Sequence, residues 1–236
     1  MQDEAGYRFV FEKAREIGAD CVQVSGAPEL LQKPDLIRSL SEEFGIEVSV
    51  THPPFERIAE DIDNLCEEHL RFGCTEIGIS AMPSEYRDHS FAEIDRFVEI
   101  VNKVAERAAE HGVTIAYHNH SFENDMAGTR TVFDHLIEDT SINFIPDTFW
   151  LKVCGLDPVE FLNKIAGRVK NVHYKDYSKF FVPRFRAVGD GKLDFAAIDA
   201  TARRIGAEYC LVEIDIARNP LKSVTRSMRY LDRFRD

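Results

Sequence analysis

The sequence has no apolar run long enough to cross a membrane: its longest are strand-sized, against the ~20 residues a spanning helix needs. Its start, Met1-Gln2-Asp3-Glu4, lacks the basic-then-apolar pattern of a signal peptide. There is no CxxC pair, and the cysteines (Cys21, Cys66, Cys74, Cys154 and Cys210) are odd in number, so a disulfide framework is not expected. Neither GxGxxG after the first strand-like run nor GxxxxGK[ST] occurs, and neither dinucleotide nor nucleotide-triphosphate binding is signalled. Basic residues are few: 29 Lys+Arg stand against 41 Asp+Glu, a formal net charge of −12 over 236 residues. A nucleic-acid partner needs a dense basic face, and an anionic membrane surface needs the same, so both are excluded. No Gly/Ser/Pro-rich or low-complexity stretch marks a linker, which gives a single domain over residues 1–236. These absences describe a soluble cytoplasmic protein.

What is present is alternation. At 44% hydrophobic and 30% charged the chain has the composition of a folded globular protein. Short runs rich in β-branched residues fall at 20–25, 46–51, 75–80, 113–118, 142–146, 169–173 and 209–214, with helix-periodic segments such as 91–111 and 157–166 between them. Five of the runs follow a helix ending at a glycine (Gly18, Gly45, Gly73, Gly112 and Gly206), the usual stop before an incoming strand. Seven strands alternating with helices give a mainly parallel sheet. Polar residues recur at the strand ends (Ser25, His52, Ser80, His118, Asp147, His173 and Glu213), a pattern that favours a (βα)8 TIM barrel over a doubly wound sheet. A barrel needs eight strands, yet a helix at 3–17 opens the chain, so the first strand is expected to be missing or truncated. The open edge this leaves invites pairing with another copy.

The chemistry-bearing residues gather at consecutive strand ends. Tyr117-His118-Asn119-His120 closes the fourth run, Pro146-Asp147-Thr148-Phe149-Trp150 the fifth, Val172-His173-Tyr174-Lys175-Asp176 the sixth, and Leu211-Val212-Glu213-Ile214-Asp215 the seventh. Neighbouring strand ends of a parallel barrel share one rim, which brings His118, Asp147, His173 and Glu213 together. Two imidazoles and two carboxylates suit Mn, Co, Fe or Zn; Mg prefers more oxygen. Strand alternation sets His118 and His120 on one face with Ala116, and gives Lys175 the parity of His173, one layer higher. Each residue also has a plainer reading. A lone strand-end histidine is usually structural, Asp147 reads as a helix N-cap, and Trp150 reads as wall packing. Glu213 is harder to explain away, because a carboxylate flanked by Leu211, Val212 and Ile214 should not be buried unpaired.

The motif order YHNH, D-T-x-W, V-H-x-K-D, G-D-G and V-E-x-D resembles the xylose-isomerase-like TIM-barrel superfamily, often labelled sugar phosphate isomerases/epimerases and including inosose dehydratases. The resemblance runs from Ala5 to about Asp232. It implies a divalent metal at the C-terminal mouth, chelating adjacent oxygens of a keto-sugar or cyclitol, with Asp147, His173 and Glu213 matching family ligands directly. Many members carry Glu where this chain has His118, and often Glu where it has Gln23. The implied reaction removes a proton next to a carbonyl with Glu213 as base, and His120 or Lys175 acts on the departing or developing oxygen. His52, Glu123, Trp150 and Arg186 are the expected substrate contacts, Arg186 from a long loop carrying Lys179 and Arg184. With His118 in place of a second carboxylate, dehydration or isomerisation is favoured over epimerisation. A sugar 3-epimerase-type isomerase and a non-catalytic partner subunit are the alternatives. Gly189-Asp190-Gly191-Lys192 is read as a turn rather than a phosphate loop, and His69, His89, His111 and His135 are given no role.

Overall fold

A computed structural model describes residues 3–87, 90–179 and 181–235, and His89 lies outside them. The chain divides into two compact units: the residues up to His118 with Phe122–Asn143, and Asn119–Ser121 with the chain from Phe144 onward.

The first unit holds four parallel strands in sequence order: β1 (Cys21–Ser25), β2 (Glu47–His52), β3 (Glu76–Ile79) and β4 (Thr114–His118). Register runs Ser25 beside His52 and Ile79 beside Tyr117, so the polar residues closing successive strands share one end. A helix, Glu4–Glu16, precedes β1, started by the Asp3 carboxylate accepting from Gly6 N–H and stopped at Gly18. All five predicted stop glycines have positive φ, between 62° and 89°, where other residues are strained. Phe11, Ile37 and Leu40 from the helices pack with Val24 and Val48 from β1 and β2 in one apolar cluster. The long helix Phe91–Glu110 buries Phe97, which meets the Tyr117 ring of β4 edge-on. A small ribbon, β5 (Met126–Ala127) and β6 (Arg130–Thr131), leads into helix Val132–Asp139, opened by a Thr131–Asp134 capping box.

The second unit takes up the chain at Phe144 within β7 (Asn143–Ile145), and parallel bridges Phe144–Val169 and Asp147–His173 set this segment beside the one that carries β8 (Asn171–Tyr174). β8 pairs in parallel with β11 (Tyr209–Val212). Tyr174 points the other way from His173, stacks near Phe195 and donates to Asp199, anchoring β8 to helix Phe195–Arg204. Between β8 and that helix the sequence reading expected a loop; the chain instead forms an antiparallel hairpin, β9 (Asp176–Lys179) with β10 (Pro183–Arg186). Its exposed charged residues hide the strand signal, while Phe185 stacks on Phe149 with ring centroids 4.0 Å apart. The Gly189–Gly191 segment is a turn closed by an anion of the chain's own. The buried Asp176 carboxylate accepts from the N–H groups of Tyr177, Gly189, Gly191 and Leu193. A Cβ at Gly191 would meet Asp176 Oδ1 at 2.2 Å, which explains the glycine. The aspartate of V-H-x-K-D and the glycines of G-D-G therefore form one structural clasp. No helix among the described residues is long and apolar enough to cross a membrane.

Candidate metal centre

Asp147 follows β7 and caps helix Thr148–Val153. Its Oδ1 accepts from Phe149 N–H at 2.9 Å and Trp150 N–H at 3.0 Å. Its Oδ2 faces the other way, 2.9 Å from Lys175 Nζ and 3.9 Å from His173 Nδ1. The carboxylate is fully buried, and Asn119 Oδ1 accepts from its backbone N–H. His173, one residue before the end of β8, is equally buried and lies 2.8 Å from Glu213 Oε2. Glu213 sits just beyond β11, which ends at Val212 rather than reaching Ile214 as the sequence suggested. Its side chain is 38% exposed, and its Oε2 lies against His173 Nδ1 and Lys175 Nζ, the pairing that a carboxylate among Leu211, Val212 and Ile214 needs. One donor atom each from Asp147, His173 and Glu213 lies within 4.8 Å of the other two.

Lys175 completes this group. Its ammonium, 2% exposed, contacts Asp147 (2.9 Å), Glu213 (3.1 Å) and Asp215 (2.8 Å). Burial opposes its charge, but the three carboxylates outweigh burial and hold its pKa above the ordinary lysine value. Burial pushes the Asp215 carboxyl up, with Lys175 pulling the other way. Thr148 pins the end of β8: its hydroxyl is 2.8 Å from the Lys175 carbonyl and accepts from the Lys175 N–H at 3.0 Å. His120 lies against Trp150, ring centroids 5.4 Å apart, and Trp150 in turn meets Phe149 and Phe185.

In the first unit His118 is buried at the end of β4, with Nδ1 2.9 Å from the Ser80 carbonyl. Its ring lies 5.6 Å from that of His52, whose Nδ1 is 3.3 Å from Gln23 Nε2. Gln23, His52 and His118 thus form one polar row. Glu123 lies in the same unit. It is fully buried and accepts from the Tyr117 hydroxyl at 2.8 Å, on the face of β4 opposite His118. Arg186 lies on the exposed hairpin and donates to Ser178 Oγ at 2.9 Å. His69, His111 and His135 have local partners in Thr51, Asp63 and Asp139.

The donor set fits a divalent ion: two carboxylates and an imidazole converge, and a cation already lies against both carboxylates. A match to the xylose isomerase-like TIM barrel family covers residues 11–234. The chain belongs to that family. An inosose dehydratase from Lacticaseibacillus casei is 26% identical over 163 residues, covering 59% of this chain and 54% of the relative. One from Clostridium perfringens is 30% identical over 156 residues, covering 56% and 52%. The chain spans about half the length of these curated relatives. A sugar phosphate isomerase/epimerase structure from Parabacteroides distasonis superposes with a TM-score of 0.76 at 21% identity, over 95% of this chain and 87% of that one. The fold is the TIM barrel expected from the strand-end pattern.

Three residues of this xylose isomerase-like barrel were missed by sequence reasoning. Asp215 shares the parity of Glu213, and V-E-x-D spacing alone could have nominated it as a second carboxylate on that face. Thr148 and Asn119 act through hydrogen bonds to backbone, and nothing in their type or spacing announces that.

Proposed function

We propose that the chain is a divalent-metal-dependent enzyme that removes a proton next to a carbonyl of a keto-sugar or cyclitol, as a dehydratase/lyase or an isomerase. The convergence of Asp147, His173 and Glu213 around the Lys175 ammonium is the observation that carries this reading. These three would hold the ion, and the family resemblance adds His118 as a fourth donor. Mn, Co, Fe or Zn suits such a mixed N/O set better than Mg. When bound, the ion supplies a Lewis acid that acidifies the C–H beside the carbonyl.

The chain's own groups divide the remaining work. Glu213, the half-exposed member of the group, takes the proton at a carboxylate oxygen. Lys175 holds the developing oxyanion, its charge secured by three carboxylates. His120 or Lys175 protonates the departing hydroxyl, and Trp150 lines the wall beside His120. His52 donates to or accepts from a sugar hydroxyl. The inosose dehydratase relatives support elimination of water as the first reaction to assay. His118 supports it too: epimerisation needs a base on each face of the intermediate, and an imidazole committed as a ligand has no free lone pair to shuttle protons.

The test is metal content by elemental analysis of protein purified without chelator, beside Asp147→Ala/Glu213→Ala. Near-stoichiometric Mn, Co, Fe or Zn, lost in the double variant, is expected, followed by turnover of an inosose or keto-sugar. No metal after reconstitution overturns the proposal.

A further inference from the structure

We propose that Lys175 is a built-in competitor of the divalent ion, and that Asp215 is the group that holds its ammonium when the ion binds. This rests on the metal-centre reading above. The ammonium is shared among Asp147 Oδ2, Glu213 Oε2 and Asp215 Oδ1 at 2.8–3.1 Å. Two of these carboxylates are proposed ion ligands, and the third is not. Three carboxylates carry −3; one lysine and one divalent ion carry +3. The cluster is therefore neutral only with both cations present, and neither can be replaced by the other without uncompensated charge in a buried site.

Both cations want the same oxygens. In this arrangement Lys175 already uses the Asp147 oxygen left over after the helix cap and the Glu213 oxygen next to His173. An entering ion takes those two, and Asp215, whose Oδ1 is the shortest contact of the ammonium, keeps the lysine within the site. Without the ion the ammonium keeps the fully buried Asp147 compensated. Affinity is thus set by a contest between two cations, not by the donor set alone.

The experiment is calorimetric titration of the full chain with Mn²⁺ at neutral pH, for wild type, Lys175→Met, Asp215→Asn and the double variant, with thermal melts of the metal-free proteins alongside. A close buried charge pair couples by about tenfold or more. Lys175→Met is expected to bind Mn²⁺ about tenfold tighter or more, with a metal-free Tm that falls and that Mn²⁺ restores. Asp215→Asn is expected to bind about tenfold weaker, and to have no further effect in the Lys175→Met background. Equal or weaker binding by Lys175→Met overturns the competition. Equally, a loss from Asp215→Asn that persists without the lysine overturns the role given to Asp215, since it would then act on the ion directly. If Lys175→Met does not fold, Asp215→Asn decides alone: equal or tighter binding refutes the proposal. No ion bound by the wild type, with Co²⁺ and Zn²⁺ also tried, fails the metal centre itself, a distinct result.

Discussion

Acidification from pH 7 to pH 5 should remove about 2 kcal/mol of stability through one buried histidine, His69. This side chain is 1% exposed on helix Ile62–Arg71. Its Nδ1 lies 2.6 Å from the Leu65 carbonyl, which only accepts, so Nδ1 carries the proton; Nε2 then accepts from the Thr51 hydroxyl, also at 2.6 Å. The ring is thus fully bonded as neutral imidazole. Burial, with a smaller push from Arg57, lowers its pKa from 6.5 to about 4, against the opposing pull of the Leu65 carbonyl. Between those values the unfolded chain takes up a proton that the folded chain refuses, so stability falls as pH drops through this window. The full gap corresponds to roughly 3 kcal/mol, and about 2 kcal/mol of it is spent by pH 5. Urea unfolding at pH 7, 6 and 5 reads this as the difference in slope between wild type and His69→Gln. The variant should start less stable at pH 7, having lost a buried contact, yet lose about 2 kcal/mol less on the way to pH 5. Parallel pH profiles, or a His69 resonance titrating near 6.5, would refute the reasoning. Thr51 immediately precedes His52, so the same bond fixes the end of β2 from which the polar row starts.

Two further outcomes follow from buried partners. Asp176→Asn should cost about 3 kcal/mol by thermal or urea unfolding, because four backbone N–H groups lose a charged acceptor and two of them meet an amide NH2 instead. Gly191→Ala should lower the Tm as well, its Cβ driven into that carboxylate; an unchanged Tm in both would remove the clasp. Tyr117→Phe should cost about 1–3 kcal/mol by urea unfolding, since the fully buried Glu123 loses its 2.8 Å donor and Met82 N–H loses its acceptor. It should leave metal content unchanged, because Tyr117 and His118 face opposite sides of β4.

Much of the fold could be read from local chemistry. The stop glycines worked because each marks a backbone conformation with a steric cause, independent of tertiary context. Strand positions held within a residue or two, since runs such as Val48–Thr51 are rich in β-branched residues and buried along their length. The β9–β10 hairpin was lost because Pro183, Arg184 and Arg186 are exposed and charged or cyclic, and its aromatic contacts, such as Phe185 on Phe149, join residues distant in sequence. The Tyr117 partner of Glu123 was hidden for a related reason. The spacing of Glu123 from His118 suggested the mouth, but a 3-10 turn at Phe122–Asn124 carries it back under Tyr117.

The residues of the candidate metal centre drew attention for a different reason: their types are expensive to bury, so several at strand ends imply a shared partner. Asp147 shows why the plain and the functional readings of such a residue need not compete. A carboxylate has two oxygens, and the helix cap uses only Oδ1. The cap fixes the plane of the group, the helix N-terminus favours its negative charge, and Oδ2 is left aimed at Lys175 with no freedom to turn away. Thr148, the next residue, ties the same helix start to the backbone of Lys175. The sequence pair Asp-Thr therefore positions both partners of a buried ion pair through one helix terminus. Which cation shares that oxygen depends on Glu213 and Asp215, supplied by the next strand end. The folded arrangement of the two segments makes that third carboxylate part of the balance.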